Sequence, residues 1–165
     1  MLNLFFYMIM LVSAAGMQQA GEYQCMPCGN DCDKTYHDQP GECEHCHMPL
    51  VKRSTIVFNT IKPADICSYI ANHPGVVLLD VRTKEEFEGK TDDYGTIKNA
   101  INIPIQELEK RVTELNDLKQ KDIIVYCSFS KRSPRASYFL STNGFKHVIN
   151  MEGGMSTMSD KSCKK

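Results

Sequence analysis

The fold of this 165-residue chain is decided by the stretch Ile123-Ile124-Val125-Tyr126-Cys127-Ser128-Phe129-Ser130-Lys131-Arg132-Ser133-Pro134. Its first four residues are apolar and follow a charged segment, which predicts a short strand that is buried on both faces. Ser133 has the chemistry of a helix N-cap, and Pro134 suits the first turn of a helix that should stop at Asn143-Gly144. A strand, a short polar loop and a helix are therefore predicted in that order.

The predicted loop has the properties of a reactive thiolate site. Cys127 should lie at the carboxyl end of the strand, where backbone N–H groups and a helix N-terminus converge and favour an anion. Arg132 can hold an oxyanion through two parallel hydrogen bonds, and Lys131 adds a point charge. We therefore predict Cys127 and Arg132 as catalytic residues. The alternative is that Cys127 is a small buried hydrophobe that ends a core strand. Predicted substrate contacts are Ser128, Phe129, Ser130, Lys131 and Ser133.

Apolar runs alternate with helical patterns along the rest of the chain. Strands are predicted at residues 56–58, 76–79, 100–103, 123–126 and 147–150, and helices near 64–72, 85–88, 105–115 and 134–143. Such alternation predicts an α/β fold, with a parallel sheet of about five strands and helices on both faces. Ligands collect at the carboxyl ends of the strands in folds of this class, and Cys127 occupies such an end.

Four motifs in a fixed order give the segment 56–156 a family resemblance. They are Val77-Leu78-Leu79-Asp80-Val81-Arg82 with Glu85-Glu86-Phe87, then Gly95 to Pro104, then the Cys127 loop, then Gly144-Phe145 with Glu152-Gly153-Gly154-Met155. Together they resemble a single rhodanese domain. The resemblance implies a sulfurtransferase that needs no cofactor for catalysis. It would take sulfane sulfur from thiosulfate or a persulfide donor, hold it as a persulfide on Cys127 and pass it to a thiophilic acceptor.

The length of the loop separates related activities. The spacing Cys-x-x-x-x-Arg resembles that of rhodaneses, whereas the related phosphatases and arsenate reductases have one more residue and a wider oxyanion cradle. Phosphatase or arsenate reductase chemistry is therefore the weaker alternative.

The sequence departs from the family pattern at three places. Ser130 replaces the usual loop glycine, so strain is expected there because glycine alone accepts a positive φ freely. Thr96 and Asn99 replace a usual histidine and glycine, and an acidic insertion at 90–94 is expected to alter loops only.

Charged residues of the first motif are interpreted as structural. Asp80 and Arg82 are expected to tie a strand end to neighbouring loops. Glu85, Glu86 and Glu88 are expected to form a solvated helix face.

Residues 22–51 carry five of the eight cysteines. Cys25-x-x-Cys28 and Cys43-x-x-Cys46 form two knuckles whose separation is close to the zinc-ribbon gap of roughly 15–20 residues. These four cysteines are predicted metal ligands in a zinc-ribbon-like module, with zinc as a structural ion. A segment of this length needs a metal or disulfides, because it cannot bury enough apolar surface. The pattern also resembles the small heavy-metal-binding domain of bacterial metal-efflux proteins.

Two alternatives for this module stay open. Soft sulfur and imidazole ligands also suit copper, and the additional or substitute ligands would come from Cys32, His37, His45, His47 and Met48. A disulfide knot would suit an oxidising compartment, although five cysteines leave one unpaired.

Residues 1–16 have the pattern of a secretory signal peptide. An apolar run that is short for a bilayer span precedes Ser13-Ala14-Ala15-Gly16. No Lys or Arg lies before the run, so the alternatives are a short membrane anchor or a buried amphipathic start. We expect export to the bacterial periplasm or cell envelope, with membrane contact only through this segment.

Composition limits the partners. Nineteen basic and twenty acidic residues give a net charge of −1, which provides no field for nucleic acid. The expected partners are a small sulfur-containing substrate and a thiol acceptor. Cys67 is expected in the core, and residues 157–165, with Cys163, are expected to form a disordered tail. The second functional class is a non-catalytic sulfur- or metal-binding envelope protein.

Overall fold

A five-stranded parallel sheet forms the centre of the larger domain in the computed structural model, which describes residues 21–165. The predicted signal segment lies outside the described residues. The strands have the spatial order β4-β8-β7-β5-β6. Their bounds are Asn59–Ile61 for β4, Val77–Asp80 for β5, Ile101–Asn102 for β6, Asp122–Tyr126 for β7 and His147–Met151 for β8.

Helices cover both faces of the sheet, as predicted. The α-helices are α1 (Ile66–Asn72), α2 (Lys84–Phe87), α3 (Ile105–Arg111) and α4 (Ser133–Thr142). Short 3-10 helices occupy Asp31–Lys34, Arg53–Thr55, Pro63–Asp65, Val112–Leu118 and Met155–Thr157. No helix among residues 21–165 is long and apolar enough to cross a bilayer.

Strand β7 divides the core into two layers. Ile123 and Val125 pack with Leu108 of α3 and Leu140 of α4 on one face. Ile124 and Tyr126 pack on the other face with Ile66 of α1 and with Met151 and Met155. Because side chains alternate along a strand, an uninterrupted apolar run is what a strand buried on both faces requires.

One predicted strand is misplaced. Residues 56–58 are irregular, and the edge strand β4 begins at Asn59 and pairs in parallel with β8. Val57 is 62% exposed, whereas Phe58 packs against the core. The apolar run therefore reflects the burial of the Phe58 side chain and not strand pairing, which begins at the next residue on a more polar segment.

The Cys-rich segment forms a small three-stranded antiparallel sheet of order β2-β1-β3. Its strands are β1 (Tyr23–Cys25), β2 (Tyr36–His37) and β3 (Leu50–Lys52). The buried core of this module consists of four cysteines, with Cys46, Met48 and Leu50 packed against them. Cysteine side chains therefore form most of the core of this module.

The prediction of a disordered tail is wrong. Cys163 forms a disulfide with Cys67 of α1. The Lys98 N–H donates to the Cys163 carbonyl at 2.9 Å, and the Lys165 N–H donates to the Thr96 carbonyl at 2.9 Å. Polar composition suggested disorder, but a covalent link and backbone pairing hold this segment on the domain. Cys67 is buried, as expected, and it is oxidised.

Candidate active site and thiolate cluster

The loop after β7 is held in place by the turn that follows β8. Cys127 is fully buried. Its carbonyl accepts the Met155 N–H at 2.8 Å, and the Ser128 carbonyl accepts the Ser156 N–H at 3.0 Å. Gly154 has φ 71°, and a Cβ there would lie 2.5 Å from both carbonyl oxygens. A glycine at position 154 is therefore required for the close approach of this turn to the loop.

The loop stabilises the thiolate form of Cys127. Burial alone would raise the pKa of the thiol. Hydrogen bonds from the Ser133 hydroxyl and from the backbone N–H groups of Arg132, Ser133 and Phe129 outweigh burial, so the pKa is lowered. The Cys127 Sγ and Ser133 Oγ atoms are 3.5 Å apart. Ser133 is the first residue of α4 and not its N-cap, and its hydroxyl is hydrogen-bonded to the Cys127 sulfur instead of capping the helix.

Ser130 adopts the strained backbone expected from its replacement of glycine. Its φ is 54°, in the left-handed region, and Asn99 shows φ 62° at the other position where the family pattern has glycine. Asparagine tolerates this region better than serine does. The reactive loop therefore keeps its path at a cost in backbone energy.

Arg132 forms an ion pair beside the loop, and its predicted catalytic role stays a prediction. Its Nη1 and Nη2 atoms donate to the two carboxylate oxygens of Glu86 at 2.6 Å each. The hydrogen bonds from Arg132 are the largest cause of a lowered Glu86 pKa, about 2. Glu86 also closes a capping box with Thr83 at the start of α2. The prediction that Glu86 lies on a solvated face is therefore wrong, because its carboxylate points into the loop.

The acidic insertion also contacts the site, contrary to expectation. Asp92 Oδ2 lies 3.4 Å from Ser128 Oγ, and Asp92 Oδ1 accepts from Arg82 Nη1 at 3.3 Å. Ser128 Oγ donates to Glu86 at 2.9 Å. Two carboxylates therefore surround this side of the loop, and Ser128 serves as a hydrogen-bonding link between them.

Asp80 and Arg82 have the structural role that was predicted. Both are fully buried, and Arg82 Nη2 donates to Asp80 at 2.8 Å and to the Gly95 carbonyl at 2.9 Å. Thr96, which replaces the usual histidine, donates from Oγ1 to the Phe87 carbonyl at 2.8 Å. This network fixes the end of β5 to the loops on either side of α2.

The other predicted substrate contacts lie at the outer surface of the loop. Phe129 is 56% exposed and makes an edge contact with Tyr94. Lys131 Nζ donates to the Gly29 carbonyl and to Asn30 Oδ1, both at 2.6 Å. The point charge expected near the thiolate is therefore bound to the Cys-rich module.

Four cysteine sulfurs converge in the Cys-rich module, but the set differs from the predicted one. Cys25, Cys32, Cys43 and Cys46 place their sulfurs within 4.8 Å of one another. Cys28 belongs instead to an overlapping group with Cys25, Cys32 and Asp33. Spacing favoured Cys28 as the partner of Cys25. The 3-10 helix Asp31–Lys34 carries Cys32 over the cluster, which spacing alone does not reveal.

The four sulfurs lie close enough together for a tetrahedral thiolate site. With Zn–S bonds of about 2.3 Å, the sulfurs of such a site lie about 3.8 Å apart. The Cys32–Cys46 and Cys25–Cys46 sulfur separations are 3.8 Å and 3.2 Å.

The thiols of the cluster differ in how easily they ionise. Burial opposes the charge on Cys43, but N–H groups of His45 and Cys46 lower its pKa to about 7. Burial and the neighbouring sulfurs raise the pKa of Cys25 and Cys32, so a bound cation would favour the ionised form of these two thiols. The five cysteines of the module are free thiols, which does not support the disulfide alternative.

Curated relatives of the chain share its larger domain. It is 31% identical over 108 residues to a tRNA uridine(34) hydroxylase of Pectobacterium atrosepticum, a match that covers 58% of this chain and 29% of the relative. A protein of the same name from Yersinia enterocolitica is 32% identical over 96 residues, covering 56% and 26%. The chain thus spans less than a third of the length of these relatives.

Solved structures and a family model match the same region. A rhodanese-related protein from Thermoplasma volcanium has 31% identity and a TM-score of 0.53, covering 64% of this chain and 94% of that one. A rhodanese-like domain protein from Staphylococcus aureus has 26% identity and a TM-score of 0.54, covering 65% and 97%. The family model described as "Rhodanese-like domain" matches residues 65–161. The chain therefore belongs to the rhodanese-like domain family.

Proposed function

We propose that this protein is a sulfurtransferase that carries sulfane sulfur as a persulfide on Cys127. The observation that carries the proposal is the buried Cys127 thiol, whose pKa is lowered by a hydroxyl and three backbone N–H groups of its own loop. A thiolate held among N–H donors is both a nucleophile and a stabilised leaving group. Both properties are needed for two successive sulfur transfers.

The first transfer charges the enzyme. The Cys127 thiolate attacks the outer sulfur of the donor, a new S–S bond forms, and the S–S bond of the donor breaks. The leaving group takes the electron pair and departs as sulfite from thiosulfate, or as a thiolate from an organic persulfide. In the second transfer an acceptor thiolate or cyanide attacks the outer sulfur, and the Cys127 thiolate leaves with the electron pair. No net oxidant is consumed.

The charges around the loop favour an organic persulfide over thiosulfate as the donor. Thiosulfate carries two negative charges, and its sulfonate needs a cation. Arg132 is already paired with Glu86, and Lys131 is bound to Gly29 and Asn30. Asp92 adds a further carboxylate near Ser128. The exposed ring of Phe129 offers an apolar contact to a donor with an organic group.

The Cys-rich module is proposed to hold one zinc ion on Cys25, Cys32, Cys43 and Cys46. When bound, zinc supplies a closed tetrahedral link that gives structure to a segment with little apolar core. A second candidate function rests on this cluster, namely a protein that binds metal or sulfur without turnover. It predicts bound metal in a protein that shows no sulfur transfer from any donor.

The protein is proposed to act outside the cytoplasm. Its Cys67–Cys163 disulfide supports this proposal, because structural disulfides persist mainly in oxidising compartments. The signal-like residues 1–16 support it as well. The mass of the amino terminus after expression in a bacterium, together with cell fractionation, tests export. An uncleaved cytoplasmic product would contradict it.

The activity named for the curated relatives is not carried over to this chain, because the match covers only 29% of the length of the first of them. The proposed function is tested with thiosulfate and with glutathione persulfide as donors and cyanide as acceptor. Wild-type protein should form thiocyanate and show a gain of one sulfur atom on Cys127 by mass spectrometry. Cys127→Ser should lose both signals. Absence of turnover and of the sulfur adduct in the wild type would disprove the proposal.

A further inference from the structure

The Cys-rich module packs directly on the reactive loop. Lys131 Nζ donates to the Gly29 carbonyl and to Asn30 Oδ1, at 2.6 Å each. Gly29 has φ 74°, and a Cβ at this position would overlap the carbonyl oxygen of Ser130. Backbone is therefore in contact with backbone at this point. A cavity of about 300 Å³ beside the contact is lined by residues of both modules, including Asn30, Ser130 and Pro134.

The segment that makes this contact is built into the thiolate cluster. Gly29 and Asn30 lie between Cys28 and Cys32, and Asn30 Nδ2 donates to Cys28 Sγ at 3.3 Å. The Asp33 carboxylate accepts the N–H groups of Cys28 and Gly29 at 3.0 Å and 2.7 Å. The path of residues 28–33 thus depends on where the sulfurs of the cluster are held.

The loop residue on the other side of the contact needs support. Ser130 holds φ 54°, and its hydroxyl makes one long contact, at 3.4 Å, with the Met151 carbonyl. A strained conformation persists only where surrounding structure determines it. Gly29 covers its carbonyl, and the neighbouring Lys131 is fixed by the same segment. Gly29 and Asn30 are the groups from the other module in a position to supply that support.

We infer that Gly29 and Asn30 are positioning residues for the Cys127 loop and that a metal ion on the thiolate cluster sets how firmly they hold it. This inference rests on the proposed metal site and deepens the proposed sulfur transfer. Metal binding orders residues 28–33, these residues order Ser130 and Lys131, and the loop keeps its N–H groups directed at the sulfur. By linkage, the loop must favour metal binding to the same extent.

The inference is tested on the full chain by amide hydrogen exchange of residues 128–133. Zinc-loaded protein is compared with protein treated with a chelator under anaerobic conditions. Loss of zinc should speed exchange of the loop amides at least about fivefold. Zinc-loaded Gly29→Ala should show the same increase, because its methyl group pushes the segment off Ser130. Gly75→Ala, at a glycine with no neighbour within 4 Å, should behave as the wild type.

Reciprocity supplies a readout that a general loss of stability would not give. Lys131→Gln should lower the affinity for zinc, measured at equilibrium against a competing chelator, and Lys131→Arg should restore part of that affinity. Equal loop exchange with and without zinc, or unchanged zinc affinity in Lys131→Gln, would overturn the inference. Loop exchange that follows zinc in a protein without sulfur transfer would instead refute the proposed function alone.

Discussion

If the proposed sulfur transfer takes place, Glu86 limits the positive charge that the Cys127 loop offers to a donor. The Glu86→Gln variant removes the carboxylate that holds both Nη atoms of Arg132. The freed guanidinium can then meet the sulfonate of thiosulfate. Because a hydrogen bond to a charged group is worth roughly 1.5–3 kcal/mol, kcat/KM for thiosulfate should rise about tenfold. Steady-state kinetics with both donors measure the change.

Glu85→Gln is the matched control for this substitution, because Glu85 is an exposed neighbour on α2. It removes the same charge without touching Arg132. Turnover of an organic persulfide should not rise in either variant. Equal thiosulfate kinetics in the two variants would show that the Glu86–Arg132 pair does not limit the choice of donor.

Ser130 and Asn99 show how two residues meet the same backbone requirement. Both have positive φ, at 54° and 62°. Ser130→Gly should stabilise the protein by about 0.5–1 kcal/mol, because glycine accepts this conformation without strain. Asn99→Gly should gain less, since asparagine tolerates the left-handed region. Urea denaturation of both variants measures the difference. If Ser130→Gly instead lowered the free energy of unfolding, and by more than Asn99→Gly does, Ser130 would not be strained.

At the scale of elements, strands and helices of the larger domain were predictable where burial and pattern agree. The run at 123–126 is buried on both faces, and its strand and the helix that follows were placed within one residue. The edge strand β4 was missed because it begins with the polar residues Asn59 and Thr60 and takes its conformation from pairing with β8. The helix predicted over 105–115 changes to a 3-10 helix at Val112, a difference in hydrogen bonding that periodicity does not resolve.

The position of Cys127 directly after a buried strand was predictable from local sequence, but the charged groups around it were not. Its role as the nucleophile stays a prediction. The partners Glu86 and Asp92 lie about 35 to 45 residues earlier in the chain, and their contacts depend on how α2 and the acidic insertion fold back. The sequence offered Cys32 as one of several substitute ligands. Its place in the 3-10 helix Asp31–Lys34, which brings it to the cluster, is what distinguishes it from the others.

The small antiparallel sheet should depend on the proposed zinc ion. Cysteines provide its buried core, so removal of the ion leaves too little apolar surface to hold three strands. Treatment with a chelator should open residues 21–52 to protease while the parallel sheet stays resistant. Limited proteolysis with mass spectrometry measures this. Cys43→Ser should be cleaved without chelator, and Glu44→Gln, at an exposed neighbour, should remain intact. Resistance of the chelated wild type would show that the module folds without metal.

For the molecule as a whole, the Cys67–Cys163 disulfide links α1 to the C-terminal segment and joins residues that are 96 positions apart. A cross-link of this span restricts the unfolded chain strongly, and its loss should lower the free energy of unfolding by about 3–4 kcal/mol. Urea denaturation with and without a phosphine reductant measures the loss. The six other cysteines are already free thiols, so the reductant has no second disulfide to act on.

The double variant Cys67→Ala/Cys163→Ala is the control for that measurement. It should unfold at the same urea concentration with or without reductant, near that of the reduced wild type. Titration of the unreduced, unfolded wild type should give six thiols from the eight cysteines, since two are joined. Eight thiols, or a wild type that the reductant leaves unchanged, would mean that backbone pairing alone holds the tail. The support that this disulfide gives to an extracytoplasmic location would then be lost.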